Sequence, residues 1–266
     1  MRFLPLVLTA ALVAPGCARS SGEGRVLAGV YPLAFVVTRV GGTTVTVLTP
    51  PGAEPHDVEL SPAQVGQVGN ARLVVLIHGL QAALDAAAHG TNVLDVASVG
   101  TPPPGVAAND PHLWLDPVRM QDVARAVAGR IGGDANTLVN DLAALDAETR
   151  TALAHCARHD IVTSHEAFGH FAARYGLRQV GISGISPDAE PSPQRLAEVA
   201  RYVREHHVTT IFTEALLSPK VAETVAREAH VATAVLDPIE SIRDGDDYFT
   251  VMRRNVAALR TALGCS

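Results

Sequence analysis

The sequence predicts an α/β protein of two lobes built on mostly parallel strands. Three features carry that expectation. Short apolar runs alternate with segments of helical period along the chain, the second half repeats the scheme of the first, and a strandless helical stretch separates the two. In the first half, strands are expected near residues 26–30, 44–48, 73–77 and 93–97, where Val, Leu, Ile and Thr dominate. Helices fill the gaps at 32–40, from Pro62 onward and at 81–88. Ser61-Pro62 offers a capping hydroxyl and then a proline, whose fixed φ and missing N–H suit the first helical turn. From about residue 117 to 157 the Ala-, Leu-, Asp- and Arg-rich text reads as helix interrupted at Gly132-Gly133, which sets the boundary between an N-terminal lobe at 25–116 and a C-terminal lobe at 158–266. The second half then places strands near 161–163, 179–182, 209–212 and 232–236. Its helices are expected at about 166–175, 193–206, 219–228 and 248–263.

The chain has 266 residues, 47% hydrophobic and 18% charged, enough apolar material for a sizeable core. Its net charge is −6 and Lys220 is the single lysine among 21 basic residues, so no basic stripe exists to hold a nucleic acid. Arg2 and the apolar run at 3–14 have the length of a signal-peptide core and are too short to span a bilayer, so residues 1–16 read as an export leader. The small residues before Cys17 resemble a bacterial lipobox, which would make Cys17 a lipidated first residue and 17–24 a short tether; ordinary cleavage nearby is the alternative. The expected location is the outer face of the cytoplasmic membrane, or the periplasm. With Cys17 lipidated, Cys156 and Cys265 remain, either bridged, as an oxidising compartment favours, or as two separate buried thiols.

Eleven histidines are present. His78, His89, His155, His159, His206, His207 and His230 have no partner motif and read as surface or structural residues. Four other positions differ: His56, His112, His165 and Asp237 each follow an expected strand, two in each half. Ligands of open parallel sheets bind beyond the carboxyl ends of the strands, so lobes facing across a cleft would bring three imidazoles and a carboxylate to one point. That is a ligand set for four-coordinate Zn²⁺.

The text around these positions runs Pro51-Gly52-Ala53-Glu54-Pro55-His56-Asp57, Asn109-Asp110-Pro111-His112-Leu113-Trp114, Thr163-Ser164-His165-Glu166-Ala167-Phe168-Gly169-His170 and Leu236-Asp237-Pro238-Ile239-Glu240. These motifs, with Tyr31-Pro32-Leu33 and Phe212-Thr213-Glu214, resemble the zinc/manganese solute-binding lipoproteins of bacterial ABC importers, from about Val26 to the C-terminus. The resemblance implies two β/α lobes joined by a long rigid helix, with metal held at their interface by His56, His112, His165 and Asp237. It also implies an importer permease as partner and a lipid anchor to the membrane. The connecting helix, about 135–155, is shorter than the family usually has, and the segment at 100–108 lacks the histidine-rich loop of many zinc members. The position of His165 resembles a histidine in zinc receptors and a glutamate in many manganese ones. Three imidazoles favour Zn²⁺, with Mn²⁺ the alternative. Asp57, Glu59, Glu214 and Glu240 are candidates to hydrogen-bond the imidazole N–H groups.

The expected activity is that of a monomeric carrier and not of an enzyme. His165-Glu166 and His170 invite comparison with the H-E-x-x-H of zinc proteases, but five residues on a helix turn through about 500°, leaving the rings about 140° apart. Four protein ligands also fill the tetrahedron that a catalytic zinc leaves open for water. The competing enzyme reading is a secreted zinc metallohydrolase using His56, His112 and Asp237 with water in the fourth place.

Overall fold

The computed structural model describes residues 24–90, 92–187 and 190–266; the leader, Cys17 and nearly all of the tether lie outside them. Strands β1 (Val26–Ala28), β2 (Val45–Val47), β3 (Leu73–Leu76) and β4 (Val93–Asp95) form one sheet in the order β2-β1-β3-β4. Strands β5 (Asp160–Thr163), β6 (Arg178–Gly181), β7 (Thr210–Thr213) and β8 (Ala232–Val235) form a second, β6-β5-β7-β8. Every pairing is parallel, and the two orders are the same when each half is counted from its own first strand.

Helices α1 (Tyr31–Gly41), α2 (Pro62–Gly69) and α3 (Ala82–Ala87) connect the first four strands. Ser61 caps α2 through a reciprocal box with Gln64, as the Ser-Pro signal predicts. The region between the sheets holds α4 (Pro117–Ile131) and α5 (Asn136–Leu153), parted by Gly132, whose φ of 78° closes α4 in the left-handed conformation that glycine adopts without strain. α5 is 18 residues long, about 27 Å, and packs on α1, α4, α6 (Gly169–Tyr175) and α9 (Tyr248–Leu263). Helices α7 (Pro193–Glu205) and α8 (Lys220–Ala229) cover the other face of the second sheet.

Alternation along the strands divides the core. Val26, Ala28, Leu73 and Val75 face inward to a central cluster, whereas Leu27, Val74 and Leu76 face an outer one with Val68 and Leu84. In the second sheet Ile161 and Phe212 face the central cluster, and Val162 and Ile211 pack under α7 and α8. The central cluster is continuous from Val26 through Leu142 of α5 to Leu263 of α9, so the two sheets share one core. Phe35 of α1 stacks on Tyr248 of α9 at 5.4 Å across the junction.

Two expectations change or resolve here. The helix expected from residue 166 begins at Gly169, because the backbone of 164–168 is spent in a turn: the Glu166 N–H donates to the Gly184 carbonyl and the Thr163 hydroxyl to that of His165. Cys156 and Cys265 are bridged as a disulfide, joining the chain just beyond α5 to the chain just beyond α9. Among the described residues no helix is long and apolar enough to cross a membrane.

Candidate metal centre

The chain beyond β2, β4, β5 and β8 brings four side chains together at the carboxyl ends of the strands. His56 sits in a single 3-10 turn (Pro55–Asp57) beyond β2, His112 just before a second (Leu113–Leu115) beyond β4, His165 directly after β5, and Glu240 after β8. One ligand atom from each lies within 4.8 Å of all the others. His112 Nε2 is 3.2 Å from His56 Nε2 and 3.4 Å from His165 Nε2, and Glu240 Oε1 is 3.7 and 3.8 Å from the Nε2 atoms of His112 and His165. Zn–N bonds of about 2.0–2.1 Å put the corners of a tetrahedron about 3.3–3.4 Å apart, so the group is close to the size of a coordination sphere.

The chemistry of the donors fits a cation. His112, His165 and Glu240 are buried and His56 is half-buried. Burial, with His165 and His170 nearby, holds the His112 imidazole well below the usual histidine range, in the neutral form a metal needs. Its Nδ1–H donates to Asp110 Oδ1 at 2.8 Å, which leaves the lone pair on Nε2 facing the other three side chains of the cluster. Both oxygens of Glu240 are buried without a hydrogen-bond partner. Burial holds that carboxyl well above the ordinary range, and Glu54, Glu214 and Asp237 add to the effect. A buried carboxylate with no donor is costly, and a divalent cation is the partner that removes the cost.

The next layer is acidic. Glu214 Oε1 accepts the backbone N–H of His165 at 3.1 Å, and its Oε2 lies 2.7 Å from His165 Nδ1, a close contact that is not an aligned hydrogen bond. Glu54 accepts the backbone N–H of His56, and burial lifts its carboxyl to about 6. His170 Nε2 donates to the Asp110 carbonyl at 3.1 Å. Asp57 and Glu59 are exposed.

The three expected histidines therefore meet, but the carboxylate beside them is Glu240 and not Asp237. Asp237 Oδ1 is engaged with the Ile239 N–H at 2.8 Å, and the turn that follows carries Glu240, three residues on, into the cluster. The sequence reading had Glu240 in the right motif as a hydrogen-bonding residue. It missed Asp110, although an acid two residues before a candidate ligand histidine was a visible signal. His165 lies in a turn before α6, so the helical H-E-x-x-H comparison fails for a more basic reason than ring angle: its first histidine is not on the helix.

The family model described as "Zinc-uptake complex component A periplasmic" matches residues 26–262, nearly the whole described chain. The chain belongs to this family. It is 32% identical, over an alignment 289 positions long, to the zinc-binding protein AdcA of Streptococcus pyogenes serotype M3, a match covering 91% of this chain and 56% of that protein. The chain thus spans about half the length of the first curated relatives it matches. Identity is 30% to the high-affinity zinc uptake system protein ZnuA of Bacillus subtilis, covering 82% of this chain and 80% of that one. Among solved structures, the Zn(II)-bound ZnuA-like domain of Streptococcus pneumoniae AdcA superposes with a TM-score of 0.75 at 30% identity, covering 91% of this chain and 99% of that domain.

Proposed function

We propose that this chain is an extracytoplasmic receptor that captures Zn²⁺ and delivers it to the permease of an ABC importer. His56, His112, His165 and Glu240 are its ligands. The observation that carries the reading is the set of four donor atoms within 4.8 Å of one another, with both Glu240 oxygens buried and unpartnered. Three neutral imidazoles and one carboxylate suit Zn²⁺ better than Mn²⁺, which prefers more oxygen. A filled tetrahedron leaves no open place for a water nucleophile, which favours a carrier over a hydrolase. Membership of a periplasmic uptake family supports export through the leader at 1–16, with Cys17 lipidated and the monomer held at the membrane surface. The N-terminal lobe at 25–116, the helical connection at 117–157 and the C-terminal lobe at 158–266 are its working parts. Docking on the permease would release the ion by disturbing a site that draws ligands from both lobes.

Metal analysis of protein purified without chelator, followed by calorimetric titration of the apo form, tests this. One zinc per chain is expected, with manganese binding more weakly. A chain that retains no zinc, or whose zinc form turns over a hydrolysable ester, would overturn the proposal.

A further inference from the structure

The turn that delivers Glu240 is backbone under strain. Ile239 has φ of +61°, in the left-handed region, where a β-branched side chain crowds the backbone and is rarely found. Such a conformation persists only where its surroundings hold it. Here they do so at consecutive residues. The Asp237 N–H donates to Asn255 Oδ1 at 2.9 Å, and Asn255 Nδ2 donates to the Asp237 carbonyl at 2.6 Å. Trp114 Nε1 donates to the Pro238 carbonyl at 2.6 Å. Asp237 Oδ1 then accepts the N–H of Ile239 itself at 2.8 Å, closing an Asx turn around Pro238. Asn255 and Trp114 are both buried.

Nothing comparable holds the Glu240 side chain. Neither of its oxygens has a hydrogen-bond donor, so its direction is set by the backbone that precedes it. We propose that Asp237 is a positioning residue, whose Asx turn keeps Ile239 left-handed and so aims the Glu240 carboxylate at the ion. The inference rests on the zinc-site reading above. Asp237 works through one acceptor oxygen, and its charge is not what the turn uses. This separates the role from that of a ligand or a capture carboxylate, either of which needs the negative charge.

The test compares zinc affinity, by competition with a chromogenic chelator, in the wild-type chain and in Asp237→Asn, Asp237→Ala and Glu240→Gln variants. Cobalt absorption serves as a geometry readout and far-UV circular dichroism as a check of folding. Asparagine keeps the acceptor without the charge, so its affinity is expected within about threefold of wild type, with an unchanged cobalt spectrum. Alanine removes the acceptor and should weaken binding about 10–100-fold, the range for residues that orient a ligand, with an altered cobalt spectrum on a folded chain. An asparagine variant as weak as alanine, or an alanine variant as tight as wild type, would overturn the proposal. Should the alanine variant fail to fold, Asp237→Ser, whose hydroxyl closes such a turn more weakly, takes its place: a loss of affinity in serine with wild-type affinity in asparagine supports the turn, and wild-type affinity in serine or a loss of about tenfold in asparagine refutes it. Failure of the underlying zinc reading is distinguishable, because there the wild type itself would not bind zinc and Glu240→Gln would change nothing.

Discussion

Asp110 shows how much of the site is carried by residues that would never touch the ion. Its carboxylate accepts both the backbone N–H and the ring Nδ1–H of His112, at 3.0 and 2.8 Å, so one side chain fixes the loop and the tautomer together. Asp110→Ala is expected to weaken zinc binding about 10–100-fold while leaving the fold intact, read by chelator competition and circular dichroism. The same scale explains which part of the site could be read in advance. His56, His112 and His165 were legible because each follows an apolar strand in chain order, His165 almost directly and the other two after longer connections, inside one of the motifs that carry the family resemblance. The carboxylate was not, because Asp237 and Glu240 share one loop, and a left-handed φ at Ile239 stands between Asp237, engaged with the Ile239 N–H, and Glu240 in the cluster. No periodicity in the text reports that angle.

Among elements, the clearest electrostatic junction ties three pieces of the second lobe. Asp160 opens β5, Arg178 opens β6 and Tyr202 lies on α7; the Arg178 guanidinium and the Tyr202 hydroxyl both donate to Asp160. Burial alone would raise the Asp160 carboxyl, but these hydrogen bonds outweigh it and hold the group below its ordinary range. A folded-state pKa below the unfolded value of about 3.9 contributes stability that is present above that pH and lost as pH falls through the folded value. The stability difference between wild type and Asp160→Asn should therefore shrink as pH falls from about 5 to about 3. Urea unfolding of the apo forms across that range measures it, and a difference independent of pH would refute the linkage. Of the strands in this junction, β5 was readable from its run Ile161-Val162-Thr163, and β6 from Val180 and Ile182 on either side of Gly181. The start of α6 was not, since His165-Glu166-Ala167-Phe168 is compatible with helix and yields only because tertiary partners, Gly184 and Glu214, claim its backbone N–H groups.

At the scale of the molecule, a site drawn from two sheets implies lobes that could separate, yet the packing opposes a wide hinge. The central core passes without a break from the first sheet through α5 to the second. Polar links reinforce it beside the site: the Tyr248 hydroxyl donates to the Trp114 carbonyl at 2.7 Å, and Arg174 of α6 holds the buried Asp116 carboxylate that caps α4. The disulfide contributes at the opposite end. Cys156 precedes β5, so the four-residue strand and its following turn separate the bridge from His165. It closes a segment of 109 residues that contains the whole second lobe. In the chain-entropy account, a loop of that size restricts the unfolded chain by as much as about 4.7 kcal/mol, and removing native bridges typically costs about 2–5 kcal/mol. Replacing both cysteines, Cys156→Ala with Cys265→Ala, should lower the unfolding free energy of the apo protein by about 2–5 kcal/mol and leave zinc affinity within about twofold. Denaturant unfolding and chelator competition on the same preparation separate the two effects. A large loss of affinity in a variant that is still folded would mean that strain at the base of β5 reaches the site, and that the shared core transmits motion along the strands instead of damping it.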